Sequence, residues 1–150
     1  MAKVLIAYMS KTGTTEKMAE YVAEGVRIAG QEPEVRNISL IKEEKELAGY
    51  GAYIFGCPTY YLDMPQSFEP FLEMARKANL KGKVGGAFSP RAHPSSGGGG
   101  AAEQVFQKME SGLEMKMTSL GPFDVEADKI GETELMRSCQ EYGKAIGKML

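Results

Sequence analysis

The stretch Tyr8-Met9-Ser10-Lys11-Thr12-Gly13-Thr14-Thr15 joins an apolar run, residues 3–8, to a helical pattern that starts near Thr14. A buried strand that ends in a hydroxyl-rich loop and turns at once into a helix is typical of phosphate binding. The helix start offers unpaired N–H groups and the positive end of the helix dipole. Gly13 allows the backbone to approach a ligand closely. The loop also supplies hydroxyl donors: Ser10, Thr12, Thr14 and Thr15.

Other phosphate-binding patterns fit this chain less well. The nucleotide P-loop, G-x-x-x-x-G-K-[ST], does not occur. Gly97-x-Gly99-x-x-Ala102 fits the letters of the dinucleotide fingerprint, but eight residues separate it from the apolar run ending at Phe88. The tight strand-to-helix turn that gives this motif its meaning is therefore absent. Lys11 either helps to neutralise the phosphate or is a solvated loop lysine. A phosphate monoester held by hydroxyl and N–H groups fits best.

The composition predicts one globular domain, residues 1–150, with 43% hydrophobic and 25% charged residues. A net charge of −2 and the lack of a basic block argue against a nucleic-acid surface. No apolar run approaches the ~18 residues of a membrane span, and the first run is too short for a signal peptide. Two cysteines without an export signal favour a reducing, cytoplasmic location, and zinc-binding spacings are absent.

Apolar periodicity predicts strands that alternate with helices. Four strands are placed at residues 3–8, 33–40, 52–56 and 83–88, and a last strand, or two short pieces broken at Gly121-Pro122, at 115–125. Helices are placed at 14–29, 67–78 and 102–113, with Pro70 in the first turn of the second, and an apolar stripe over 135–149 marks a C-terminal helix. This order implies a parallel sheet and a three-layer α/β/α sandwich.

Three chemically distinctive loops follow the first, third and fourth predicted strands. Ligands of open α/β sheets bind beyond the carboxyl ends of the strands, where these loops lie. The loops cover residues 10–15, 57–63 and 89–100. Cys57 does not open a phosphatase Cys-x5-Arg loop, because the sixth residue after it is Asp63, and we interpret it as a packed thiol.

Two of these loops resemble known flavin-binding motifs. Residues 10–15 resemble the FMN phosphate loop of flavodoxins, [ST]-x-T-G-x-T, directly after the first strand. Residues 56–61, Gly-Cys-Pro-Thr-Tyr-Tyr, resemble the G-[SC]-P-T-[YF] segment found in short flavodoxins and in related quinone reductases. The resemblance covers the whole chain in order and length. It implies a flavodoxin-like five-stranded sheet of order 2-1-3-4-5 and non-covalently bound FMN.

The resemblance also implies a role for each loop. The phosphate would be held by the first loop: Ser10, Lys11, Thr12, Gly13, Thr14 and Thr15. The isoalloxazine ring would be lined by the second loop: Pro58, Thr59, Tyr60, Tyr61 and Leu62. The other side would be closed by the start of the third loop: Ser89, Pro90, Arg91 and His93. No catalytic acid or base and no metal ligand are expected.

Some of these side chains have a second interpretation. The chain has no tryptophan, so Tyr60 or Tyr61 must supply the ring stacking, while at least one of the two is expected to pack under the loop. Arg91 either balances a negative charge on the ligand or is a surface charge. His93, the single histidine, either donates to the ring or is an exposed loop residue.

The chain departs from the family pattern in its second loop. No glycine lies between Cys57 and Pro65, whereas flavodoxins commonly have one whose peptide flips to hydrogen-bond the flavin semiquinone. A flip of the peptide to positive φ costs more at Tyr61 or Leu62 and less at Asp63, so strong stabilisation of the semiquinone is not expected. The mildly acidic net charge also makes broad electrostatic steering onto basic partners less important.

The predicted function is low-potential electron transfer by an FMN-binding flavodoxin. Its partners would be redox proteins, namely a reductase and an electron acceptor, and the chain would be a monomer or weak dimer. The alternative is an NAD(P)H-dependent quinone or flavin reductase of the same fold. The Pro-Thr-Tyr segment favours that alternative. Chain length opposes it, because related quinone reductases usually carry additional segments that build the nicotinamide and quinone pocket.

Overall fold

The computed structural model describes residues 1–10, 13–59, 64–91, 100–127 and 129–150. The strands are β1 Lys3–Tyr8, β2 Glu32–Asn37, β3 Ala52–Gly56, β4 Val84–Pro90, β5 Lys116–Met117 and β6 Phe123–Val125. The α-helices are α1 Thr14–Ile28, α2 Glu69–Lys77, α3 Ala101–Gln107 and α4 Glu132–Gly147. Short 3-10 turns cover Ile38–Leu40, Glu44–Leu47 and Gln66–Phe68, and a π-helical turn covers Lys108–Gly112.

All strand pairs form one parallel sheet of order β2-β1-β3-β4-β5. The fifth position is divided, because β5 pairs with Val84 and Gly85 whereas β6 pairs with the carboxyl-terminal part of β4, residues 88–90. The predicted strand order and α/β sandwich are confirmed. Of the two forms considered for the last strand, the structure has two short pieces.

Side chains of the central strands alternate between two cores. One core packs Leu5, Tyr53 and Phe55 against α2 and α3. The other packs Ile6 and Ile54 against α1 and α4. Strands covered on both faces are expected to be apolar throughout, as residues 4–8 of β1 and all of β3 are. The three predicted layers are therefore present.

Two predicted strand boundaries are corrected by local hydrogen bonds. The second strand, predicted over residues 33–40, ends at Asn37 because its side-chain oxygen accepts from the N–H of Ser39 at 3.0 Å and turns the chain. The fourth strand, predicted to end at Phe88, continues to Pro90 because β6 offers it a partner. Pro70 lies in the first turn of α2, as predicted.

Tyr142 of α4 fills the break between β5 and β6. Its hydroxyl accepts a hydrogen bond from the N–H of Ala87 at 3.0 Å and donates one to the carbonyl oxygen of Gly121 at 2.8 Å. Burial raises the pKa of this hydroxyl, so it stays protonated and able to donate. The side chain thus satisfies two backbone groups at the point where the edge of β4 has no strand beside it.

Helices α1 and α4 touch at their backbones. A Cβ atom on Gly143 would lie 2.0 Å from the carbonyl oxygen of Val22, and one on Gly25 would lie 2.0 Å from that of Gln140. Because the separation of two packed helices depends on the side chains between them, this pair of glycines sets a close approach. The sequence analysis did not find this contact.

Candidate functional site

The carboxyl ends of β1, β3 and β4 lie side by side at one edge of the sheet. The N–H of Met9 donates to the carbonyl oxygen of Gly56 at 2.9 Å, and the N–H of Cys57 donates to that of Phe88 at 3.3 Å. The N–H of Arg91 donates to the carbonyl oxygen of Val125 at 2.9 Å. The segments that begin the three predicted loops are therefore adjacent in space, which is the placement expected for a ligand site.

The first loop ends in an open helix start. Gly13 is the N-cap of α1 with a φ of 89°, and nothing lies within 4 Å of the place where its Cβ would be. The Ser10 hydroxyl oxygen accepts the N–H of Gly13 at 2.9 Å. The first intrahelical bond of α1 runs from the N–H of Lys17 to the carbonyl of Gly13. The N–H groups of residues 14–16 thus precede the first intrahelical hydrogen bond of α1, at a helix start of the kind that binds anions.

The predicted hydroxyl ligands of the first loop differ in accessibility. Ser10 and Thr14 are partly exposed, whereas Thr15 is 2% exposed. The positions of Lys11 and Thr12 lie outside the described residues. Of the described hydroxyls, those of Ser10 and Thr14 are therefore the better placed for a phosphate.

A carboxylate also lies in the first turn of α1. The hydroxyl of Tyr8 donates to Glu16 at 2.7 Å, and burial together with this carboxylate raises the pKa of Tyr8 to about 12. The bond ties Glu16 to the end of β1. Sequence analysis missed this pair, although an acidic residue in a first helical turn is a common stabilising feature.

The second loop is described only at its start. Pro58 is partly exposed, and the hydroxyl of Thr59 lies 2.7 Å from that of Ser89 and accepts the N–H of Ala101 at 3.0 Å. Cys57 is fully buried, and burial raises the pKa of its thiol to about 12. The prediction of a packed thiol agrees with this environment, and a buried thiol with a raised pKa is expected to be unreactive. Predicted residues Tyr60, Tyr61 and Leu62 lie outside the described residues.

The third loop begins later than predicted, because the first two of its predicted residues belong to a strand. Ser89 is 0% exposed and, with Pro90, belongs to β4. Its hydroxyl contacts Thr59 and the carbonyl oxygen of Pro90, so its side chain does not face an open cleft. Pro90 and Arg91 are partly exposed at the edge. His93 and the glycines at 97–99 lie outside the described residues, so their alternatives remain predictions.

Asp124 in β6 is a polar residue of this edge that the sequence analysis did not find. Its carboxylate accepts the N–H of Gly100, just before α3, at 3.0 Å. A Cβ on Gly100 would lie 2.4 Å from the other carboxylate oxygen of Asp124 and 3.0 Å from the hydroxyl oxygen of Thr59. The available signal was a carboxylate inside the short strand that follows the Gly121-Pro122 break.

Asp124 makes stability depend on pH. Burial raises its pKa above the ordinary 3.8, while the Gly100 N–H and the charge of Arg91 act in the opposite direction. The folded chain then holds this proton at pH values where the unfolded chain has released it. As pH rises from about 4 through the folded-state pKa, the wild type should therefore lose stability relative to Asp124→Asn. Urea unfolding of both proteins across pH 3.5–7 measures this, and a constant difference would contradict it.

The geometry of the described edge fits a phosphate-bearing ligand with a flat apolar part. The start of α1, with Gly13 and the Ser10 hydroxyl, offers an anion cradle. The partly exposed prolines of the two neighbouring segments, Pro58 and Pro90, offer apolar surface beside it. The fold is that of a doubly wound α/β protein, and the loop after its first strand leads into an open helix start, the kind of position where phosphate groups bind.

The family is shown by comparison with known proteins. The family model described as flavodoxin matches residues 6–141. The chain belongs to the flavodoxin family. Flavodoxins bind FMN, and FMN is the cofactor of this chain. The predicted membership and cofactor are confirmed. In the part of the chain that the structure describes, no helix is long and apolar enough to cross a membrane.

Two curated relatives and one solved structure illustrate the similarity. A flavodoxin of Clostridium saccharobutylicum is 38% identical over 88 residues, which are 58% of this chain and 54% of that protein. An NAD(P)H dehydrogenase (quinone) of Sinorhizobium fredii is 36% identical over 120 residues, and the match covers 65% of this chain and 60% of that protein. The chain thus spans a little over half the length of these relatives. A flavodoxin structure from the domain Archaea has a TM-score of 0.84 at 23% identity, covering 98% and 97% of the two chains.

Proposed function

We propose that this chain, as a single domain over residues 1–150, is a low-potential electron carrier. It would shuttle electrons in the cytoplasm between a reductase and an acceptor protein, as a monomer or weak dimer. The observation that carries the proposal is the family match over residues 6–141 together with the open phosphate cradle at the start of α1. Bound FMN supplies the chemistry, because a flavin accepts and releases one or two electrons.

The protein's contribution is to bind and orient the cofactor. N–H groups at the start of α1 and the hydroxyls of Ser10 and Thr14 would hold the phosphate, with Lys11, Thr12 and Thr15 completing the loop. Gly13 supports this assignment, because its positive φ and open surroundings let the backbone turn into the helix beside an anion.

The ring would lie against the second and third loops. Pro58 and Pro90 are partly exposed at the described edge, which supports a flat ligand there. Arg91 is held in place by its backbone bond to Val125. Tyr60, Tyr61, Leu62 and His93 remain proposed contacts, while Ser89 would act through Thr59 because its side chain is buried.

Electron transfer by this site needs no protein acid or base. Two titratable side chains at the described edge, Asp124 and Cys57, are engaged in structural contacts. Asp124 is bonded to the start of α3, and the Cys57 thiol is buried with a raised pKa. In a carrier the cofactor performs the redox step, and the protein sets its surroundings.

A second candidate is an NAD(P)H-dependent quinone or flavin reductase. The observation that favours it is the 36% identity to the Sinorhizobium NAD(P)H dehydrogenase (quinone), which the chain matches over 60% of that protein's length. In this case the same phosphate loop would bind FMN, and a nicotinamide would reduce it directly.

Anaerobic reduction distinguishes the two functions. A carrier should keep its oxidised flavin spectrum when NADH or NADPH is added alone, and bleach within seconds when an NADPH-dependent flavoprotein reductase is also present. The control contains the reductase and NADPH with free FMN at the same concentration. Rapid bleaching by NADH or NADPH alone, followed by turnover with a quinone, would contradict the carrier and support the reductase.

A further inference from the structure

A set of hydrogen bonds joins four elements at the proposed ring side of the site. Thr59, after β3, lies between Ser89 of β4, at 2.7 Å, and the N–H of Ala101 in α3, at 3.0 Å. Asp124 of β6 accepts the N–H of Gly100 at 3.0 Å. Successive N–H groups at the start of α3 are therefore held by side chains from two different segments, the loop after β3 and the strand β6. We call Thr59, Ser89, Asp124 and Gly100 the α3 clamp.

The clamp leaves little freedom for the backbone that it holds. Gly100 has an ordinary extended conformation, φ −82° and ψ −158°, so its position demands space rather than a special torsion. Any Cβ there would collide with Asp124. Two clamp residues adjoin the proposed ring-lining prolines. Thr59 directly follows Pro58, and Ser89 directly precedes Pro90. A change in the clamp would therefore be expected to shift both proposed ring-lining segments.

Stability alone is a weak reason for a carboxylate at this position. Asp124 lies in β6 beside Ser89 of β4, where neighbouring strand residues such as Phe123 and Phe88 are apolar. Removing a carboxylate from water costs free energy that its hydrogen bonds repay only in part. The neighbouring charge of Arg91 offsets part of this cost. A residue that is costly to bury and that orders a site is a candidate for a functional role.

We propose that Asp124 is a positioning residue for the flavin ring, which it never contacts itself: by holding Gly100 beside Thr59 it keeps Pro58, Pro90 and the start of α3 in the arrangement that receives the ring. The proposal rests on FMN binding at this edge, as proposed above. It assigns Asp124 to the ring side, because the clamp joins the β3, β4 and β6 ends and includes no residue of the phosphate cradle.

The prediction is a ring-specific loss of affinity. Asp124→Ala removes the carboxylate that accepts the N–H of Gly100, so the start of α3 is no longer held. The dissociation constant for FMN should therefore rise about tenfold. The dissociation constant for riboflavin, which has the ring but no phosphate, should rise by the same factor. Asp124→Asn keeps a side-chain oxygen that can accept from Gly100 and should bind both flavins within about threefold of the wild type.

The experiment titrates the full-length apoprotein with FMN and with riboflavin, following the quenching of flavin fluorescence. Urea unfolding of each apoprotein is measured in parallel, and titrations are made where every variant is folded. Val26→Ala is the matched control for general loosening. Val26 is buried at the far end of α1, about 18 Å along the helix from Thr14. This variant should lose stability but keep both affinities.

The outcomes separate this inference from the proposed function. Equal affinities of Asp124→Ala and wild type, equal losses in Asp124→Ala and Val26→Ala, or a loss in FMN binding only would each overturn the positioning role while leaving FMN binding intact. Failure of Asp124→Asn to restore affinity would also overturn it. A wild type that binds neither flavin would overturn the proposed function and this inference together.

Discussion

Replacing Gly143 with alanine should lower the free energy of unfolding by about 3 kcal/mol or more, a large share of the stability of a small domain. The added Cβ would lie 2.0 Å from the carbonyl oxygen of Val22. That atom is helix backbone, so it cannot rotate away as the tip of a side chain could. Relief requires α1 and α4 to separate, which would loosen the core that they form on one face of the sheet.

Thermal and urea unfolding measure this effect. For a chain of this size, about 3 kcal/mol corresponds to a fall in Tm of roughly 6–12 °C. Gly112→Ala is the matched control, because Gly112 lies in a helical turn and nothing is within 4 Å of its Cβ position. That variant should be neutral or slightly stabilised. An unchanged Tm in Gly143→Ala would contradict the backbone contact between the two helices.

Replacing Tyr142 with phenylalanine should cost about 2–4 kcal/mol, because it leaves two backbone groups without their partner. These are the N–H of Ala87 and the carbonyl of Gly121, which the hydroxyl holds at 3.0 and 2.8 Å. The ring itself remains and can still stack on Phe123 at a centroid distance of 5.3 Å. The loss therefore reports on the hydroxyl and on the break between β5 and β6.

Amide hydrogen exchange gives a local readout for this variant. Protection of the Ala87 amide should fall more than that of Ile54 in the central strand β3. Tyr21→Phe removes a hydroxyl that bonds to Glu132 at the surface, and it should leave stability unchanged within error. Equal stability of Tyr142→Phe and Tyr21→Phe would contradict the bridging role of the buried hydroxyl.

The strand order and layers were predictable because apolar patterning records which faces are covered. The apolar runs at residues 4–8 and 52–56 became most of β1 and all of β3 in the middle of the sheet. The boundaries were less predictable. Asn37 ends β2 because its side-chain oxygen accepts the N–H of Ser39, and β4 extends to Pro90 because of a partner that lies more than 30 residues further along the chain.

The first loop could be found from a short motif in the sequence, whereas the contacts of Asp124 and Tyr142 could not. Gly13 and Ser10 act within a few residues of each other, so their spacing is visible in the sequence. Asp124 and Tyr142 act on Gly100 and Ala87, which are remote in the chain. Nothing local marks an aspartate or a tyrosine as a partner for a distant backbone group, and only the folded arrangement brings them together.

The central claim is that the start of α1 anchors a flavin by its phosphate. It is tested most directly by titrating the wild-type apoprotein with FMN and with riboflavin under the same conditions. Several charge-assisted hydrogen bonds to the phosphate should make FMN bind at least about 100-fold more tightly than riboflavin. Equal affinities for the two flavins, or no binding of FMN, would contradict the account.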